Sequence, residues 1–256
     1  MRFATLILFA AASGLGGEAI YNHALAVLRA ARQPPYVVYR VDYRGHNAFV
    51  RCDGGITKVS FDLGDQTASF RVAYRASDGR AVSINLQSNH RCGGTPLMTP
   101  SGGDLAALVR STPPPAEAPS LDRSAPRTIG DVRVASVLYY RVLSVQDEDL
   151  DGHPCHHLKL QAYSNPDVYP LTDLWVDAGS FAIRRVGGDF ADRYSGAPAR
   201  TVATGSFEAV GEYWLLDRER IVFTAATRPH PIAATLDAEA RDFTFPENTP
   251  PELNGQ

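Results

Sequence analysis

The 256-residue chain has no excess of positive charge: 25 lysines and arginines stand against 28 aspartates and glutamates, and no basic block occurs anywhere. A phosphate backbone is held by clustered cations, so nucleic acid is excluded as an expected partner. The chain also lacks a membrane-length apolar run, since residues 3–12 fall well short of the roughly 20 needed to cross a bilayer. Three further absences bear on catalysis. There is no Gly-x-Ser-x-Gly elbow for a nucleophilic serine, no glycine-rich phosphate loop between a strand and a helix, and no segment repeated at a fixed period. Paired carboxylates fall in turns, where solvation is the default. A non-enzymatic protein without a cofactor is therefore expected, and a hydrolase-like enzyme is the third choice.

Cysteine is scarce, with three residues. Arg2, the apolar run at residues 3–12 and the small residues up to Ala19 read together as a signal peptide at residues 1–19. No cysteine lies near that boundary, so neither a lipid anchor nor a transmembrane anchor is expected. A periplasmic or secreted location follows. Export places the thiols in an oxidising compartment, where an odd count leaves one over. Cys52 and Cys92 each precede a glycine pair at a strand end and form the expected disulfide, leaving Cys155 as a buried thiol.

Residues 20–32 place Ile20, Ala24, Val27, Leu28 and Ala31 at helical spacing, and Gln33-Pro34-Pro35 ends the helix. From Tyr36 the period becomes two. Val37, Tyr39, Val41 and Tyr43 alternate with polar or smaller residues, as do Phe70, Val72 and Tyr74, then Val82, Ile84 and Leu86. Gly45, Gly54-Gly55, Gly64-Asp65 and Asp78-Gly79 read as the hairpin turns between short strands. Tight connections of this kind imply an antiparallel meander. Ser101 to Asp104 can cap a short second helix, and residues 113–126 form a proline-rich exposed loop within a single domain spanning residues 20–256. Residues 132–145, apolar on both faces, read as a central strand.

The densest group of reactive side chains is His153-Pro154-Cys155-His156-His157. On a strand, His153, Cys155 and His157 share a face, and their nitrogen and sulfur donors suit zinc or copper. Strand neighbours stand too far apart to close round one small ion, so the group reads as structural and no metal is expected. The acidic stretch at residues 146–152 lacks the ligand series of a calcium loop and reads as a solvated turn.

Residues 171–186, LTDLWVDAGSFAIRRV, make a hairpin around the turn Asp177-Ala178-Gly179-Ser180. With the export signal, the first helix ending at Gln33, the strand at residues 36–44 and the closing Asp242-Phe243-Thr244-Phe245-Pro246, it resembles the bacterial outer-membrane lipoprotein-sorting superfamily. That resemblance implies a mostly β fold with a few helices (α+β), an unclosed antiparallel β half-barrel with helices against its concave face. It also implies carrying or sensing acyl chains in the periplasm. The inner face is then expected to be lined by Val37, Tyr39, Val41 and Tyr43 from one strand, Phe70, Val72 and Tyr74 from a second, and Val82, Ile84 and Leu86 from a third. The expected partner is an acyl chain or other apolar ligand. A sensor or scaffold module of the same fold that binds an envelope protein is the alternative.

Overall fold

A computed structural model describes residues 16–53, 56–78, 80–89, 91–93, 140–163 and 171–254. Among the described residues the fold is an open, curved, mostly antiparallel sheet of 11 strands with one α-helix, α1 (Gly17–Ala30), against its apolar face. The strands are β1 (Tyr36–Asp53), β2 (Ile56–Arg75), β3 (Arg80–Asn85), β4 (Arg91–Gly93), β5 (Tyr140–Leu150), β6 (His153–Ala162), β7 (Leu171–Asp177), β8 (Ile183–Tyr194), β9 (Ala197–Val210), β10 (Tyr213–Ala225) and β11 (Ile232–Thr244). They lie in the order β3-β4-β2-β1-β11-β10-β9-β8-β7-β6-β5. Strands β5 to β11 thus form a continuous meander, and the pairing of β1 with β11 joins it to the N-terminal ribbon. Among the described residues the end strands, β3 and β5, do not meet, which leaves the half-barrel unclosed.

The first ribbon is longer than the glycine pattern implies. Gly45 and Gly64 lie inside strands β1 and β2, because the chain absorbs them as an irregularity between His46 and Ala48 rather than as a turn. Asn47 sits at φ 54° and Gly64 at φ 106°, and the Asn47 Oδ1 accepts the Gly64 amide at 3.0 Å. A Cβ on Gly45 would lie 1.7 Å from the Ala48 carbonyl oxygen, so only glycine allows this kink. Strand β5 differs from expectation too. Among the described residues it is an edge strand, largely exposed between Tyr140 and Leu150, rather than a central one, and it absorbs much of the acidic stretch. The proline-rich loop at residues 113–126, the second helix and residues 132–139 lie outside the described residues.

Helix α1 buries Ile20, Tyr21, Ala24, Leu25 and Leu28. The stripe therefore runs through Tyr21 and Leu25, one residue round from the expected Val27 and Ala31. The helix also begins earlier than residue 20. Gly17 lies so close to Val142 and Val145 that a Cβ there would come within 2.8 Å of both side chains, and the Val142 amide donates to Glu18 Oε1 at 2.9 Å. A boundary at residue 19 falls inside this anchored first turn.

Candidate functional site

Cross-strand register decides which side chains share a face. Val37 stands opposite Tyr74, Tyr39 opposite Val72, and Val41 opposite Phe70, so these residues, with Tyr43, line the inner face together. All seven are at most 3% exposed and belong to the same cluster as the α1 stripe. Strand β11 adds Leu236, Ala238 and Ala240, and the meander adds Leu158, Leu174 and Val186.

The third predicted set does not join them. Tyr74 pairs with Ala81 and Val72 with Ser83, which puts Val82 and Ile84 on the outer face. There they pack with Val38, Ala73 and Leu253, the last carried by a short 3-10 turn, Pro251–Leu253. Leu86 lies beyond the strand and is 42% exposed. The alternation in β3 is real, but the apolar residues bury beneath the C-terminal segment instead of beside α1.

Cys52 and Cys92 are joined, with their Cα atoms 5.8 Å apart, and Cys155 is a buried free thiol. Burial pushes that thiol up to about 11, reinforced by the Asp177 carboxylate. His156 and His157, both buried, alternate between faces. His156 Nδ1 lies 2.6 Å from Asp147 Oδ1; His157 Nε2 lies 2.6 Å from Asp173 Oδ1 and its Nδ1 3.3 Å from Glu148 Oε2. The His157 ring stacks on Trp175 with centroids 4.1 Å apart. Each buried imidazole is thus committed to a carboxylate, while His153 is exposed. Among the described residues no group of three or more His, Cys, Asp or Glu side chains is arranged to hold a metal.

The hairpin at residues 171–186 connects to the helix. Asp177 Oδ1 accepts the amides of Gly179 and Ser180 at 3.1 and 2.9 Å, and its Oδ2 meets Arg184 Nε at 2.7 Å. Burial alone would raise this carboxyl, but the Ser180 amide, Arg184, the Ser180 hydroxyl and the Gly179 amide outweigh it and hold it at about 2. The turn presents Phe181, in the left-handed region at φ 58°, and its ring stacks on His23 of α1 at 4.0 Å.

The outer face carries a feature absent from the sequence reading. One row across the sheet runs Ser69, Asp42, Glu239, Arg218, Ser206 and Arg185, and the next runs Arg44, Asp237, Arg220 and Thr204. Over these rows lies a cavity of about 340 Å³, continued by a smaller one of about 160 Å³ that shares Arg185, Ser206 and Arg218. Burial alone would raise Asp42, but the Ser69 hydroxyl and the guanidiniums of Arg40 and Arg241 prevail and hold it below the usual carboxylate range. Asp217, at the irregularity of β10, goes the other way: burial raises it despite Arg218, and its Oδ1 has no hydrogen-bond partner among the described residues. The signal in the sequence was the polar half of each alternation, as in Asp42 and Arg44, Arg218 and Arg220, or Asp237 and Glu239.

No helix among the described residues is long and apolar enough to cross a membrane. No family model matches the chain, and no curated protein does. Solved structures do. A LolA superfamily protein from Nitrosomonas europaea matches at 13% identity over 91% of this chain and 96% of its own, with a TM-score of 0.35. An outer membrane lipoprotein-sorting protein domain from Vibrio parahaemolyticus matches at 12% identity over 90% and 94%, with a TM-score of 0.36. A DUF1329 family protein from Desulfovibrio piger matches at 12% identity over 89% and 92%, with a TM-score of 0.35.

Proposed function

We propose that the protein is a non-enzymatic, exported binding protein that holds an acyl chain or other apolar ligand on the inner face of its half-barrel, where the stripe of α1 now lies. The supporting observation is the placement of Tyr21 and Leu25, 0% and 1% exposed, in one apolar cluster with Val41, Phe70 and Val72 of an unclosed sheet. A helix of 14 residues buries only a limited area, and an acyl chain offers the same inner face equivalent apolar contact, at about 0.8 kcal/mol per buried methylene. Ligand and α1 then compete for one surface. The location we propose is the periplasm, with the export signal ending ahead of Gly16 so that the first turn of α1 is retained.

The test is titration with a fluorescent fatty acid. Saturable, one-to-one binding is expected, displaced more readily by long-chain than by short-chain lipids and weakened by Val41→Glu or Val72→Glu in protein shown to be folded. No saturable binding by the folded wild type would reject this reading. The second reading, an envelope-protein partner for the same fold, would then stand, favoured by the filling of the inner face by α1 itself.

A further inference from the structure

The larger outer-face cavity holds charges that its own ion pairs do not use up. Asp42 is held by Ser69, Arg40 and Arg241. Arg220 meets Asp237 at 3.1 Å, Arg218 meets Asp217 at 3.0 Å, and Arg185 meets Asp151 at 3.1 Å. Arg44 and Glu239 also line the cavity, both are exposed, and neither has an ion pair or side-chain hydrogen bond among the described residues. Arg44 stands opposite Asp237 and Glu239 opposite Asp42, so the two are diagonal neighbours across β1 and β11, yet they are not paired with each other. A lone anion would satisfy Arg44 but face Glu239, and a lone cation would meet the reverse. A ligand with both groups satisfies the pair.

The sign of the ligand follows from the rest of the lining. Four guanidiniums face the cavity against the carboxylates of Asp42, Asp237 and Glu239, because Glu219, paired with Ala238, alternates to the inner face. The surplus of one positive charge favours an anionic group at the arginines, and the planar fork of arginine suits phosphate oxygens. We propose that this cavity binds a phosphoethanolamine group, its phosphate on Arg44 and its ammonium on Glu239, either as a free small molecule or as the headgroup of a lipid. The site lies across the sheet from the apolar surface and does not depend on it.

Calorimetric titration of the whole protein with phosphoethanolamine, inorganic phosphate and ethanolamine tests this. Phosphoethanolamine is expected to bind one-to-one and at least tenfold more tightly than either fragment. Arg44→Gln should weaken it tenfold or more, while Glu239→Gln should abolish the preference over inorganic phosphate. The charge-conserving Arg44→Lys and Glu239→Asp variants should retain most of the binding, and the thermal transition of every variant reports that it is folded. Co-sedimentation with vesicles distinguishes the source. Binding to phosphatidylethanolamine vesicles but not to phosphatidylcholine vesicles, whose quaternary ammonium cannot donate to Glu239, assigns a lipid headgroup; binding in solution only assigns a free ligand. Equal affinity for phosphoethanolamine and phosphate in the wild type, or an unaltered affinity in Arg44→Gln, overturns the proposal. The fatty-acid titration of Arg44→Gln should match the wild type, so failure at either face leaves the other reading standing or falling on its own result.

Discussion

The two faces of the sheet are made by the same strands and solve opposite problems. On the inner face, Val41, Phe70 and Val72 are at most 1% exposed and are satisfied by packing against each other and α1. On the outer face the alternate residues of the same strands, Asp42, Ser69 and Arg71, are satisfied by hydrogen bonds and ion pairs. One patch breaks the division: Val38, Ala73 and Val82 are apolar yet outward, and there the chain supplies Leu253 as a cover. A strand's alternation therefore defines two faces, and the identity of each face depends on what covers it.

Charge placed on each face should break the symmetry most sharply. Val72→Glu, at a position 0% exposed, is expected to cost about 4 kcal/mol or more, read from urea unfolding, because the carboxylate is buried without a partner. Val82→Glu should cost a similar amount although it points outward, since Leu253 buries it. A cost below about 1 kcal/mol there would mean that the C-terminal segment does not cover the outer face. Next in size is the covalent link between β1 and β4. Replacing Cys52 and Cys92 by serine opens a loop of 40 residues, with an expected loss of about 4 kcal/mol in the loop-entropy picture. Thiol titration of the unreduced, unfolded wild type should find one group, Cys155; three would contradict the disulfide.

Parity explains how much of this was legible in the sequence. The period-two pattern located the face shared by Val37, Tyr39, Val41 and Tyr43, and the hairpin chemistry at Asp177 placed its turn. The pattern in β3 could not say whether Val82 shared that face, because a strand with apolar alternation fits either side until register is known. Gly45 and Gly64 read as turns because glycine marks both turns and mid-strand kinks. The outer cavity is not legible in the sequence because arginine and aspartate at alternate positions look like solvated surface within any single strand, and only the row across six strands brings them together.

Smaller effects separate the faces by pH. Asp177, held at about 2, contributes stability that is present above the ordinary aspartate range, near 3.9, and is lost as pH falls from about 4 toward 2. Asp177→Ala should cost about 2 kcal/mol at neutral pH by removing a carboxylate bonded to two amides and Arg184, and its unfolding should lose part of the acid sensitivity of the wild type. An unchanged acid profile would assign that sensitivity elsewhere. Smallest of all, Glu239→Gln on the exposed outer face should alter stability by less than about 0.5 kcal/mol.

Competition between an apolar ligand and α1 for the inner face is tested most directly by comparing the fatty-acid affinity of the wild type with that of Leu25→Ala. This substitution weakens the helix's docking by about 2 kcal/mol or more and leaves the sheet's own residues unchanged. If α1 must yield to the ligand, the variant binds at least fivefold more tightly, because its binding-competent state is more populated. Equal or weaker binding by a folded Leu25→Ala protein would contradict the competition.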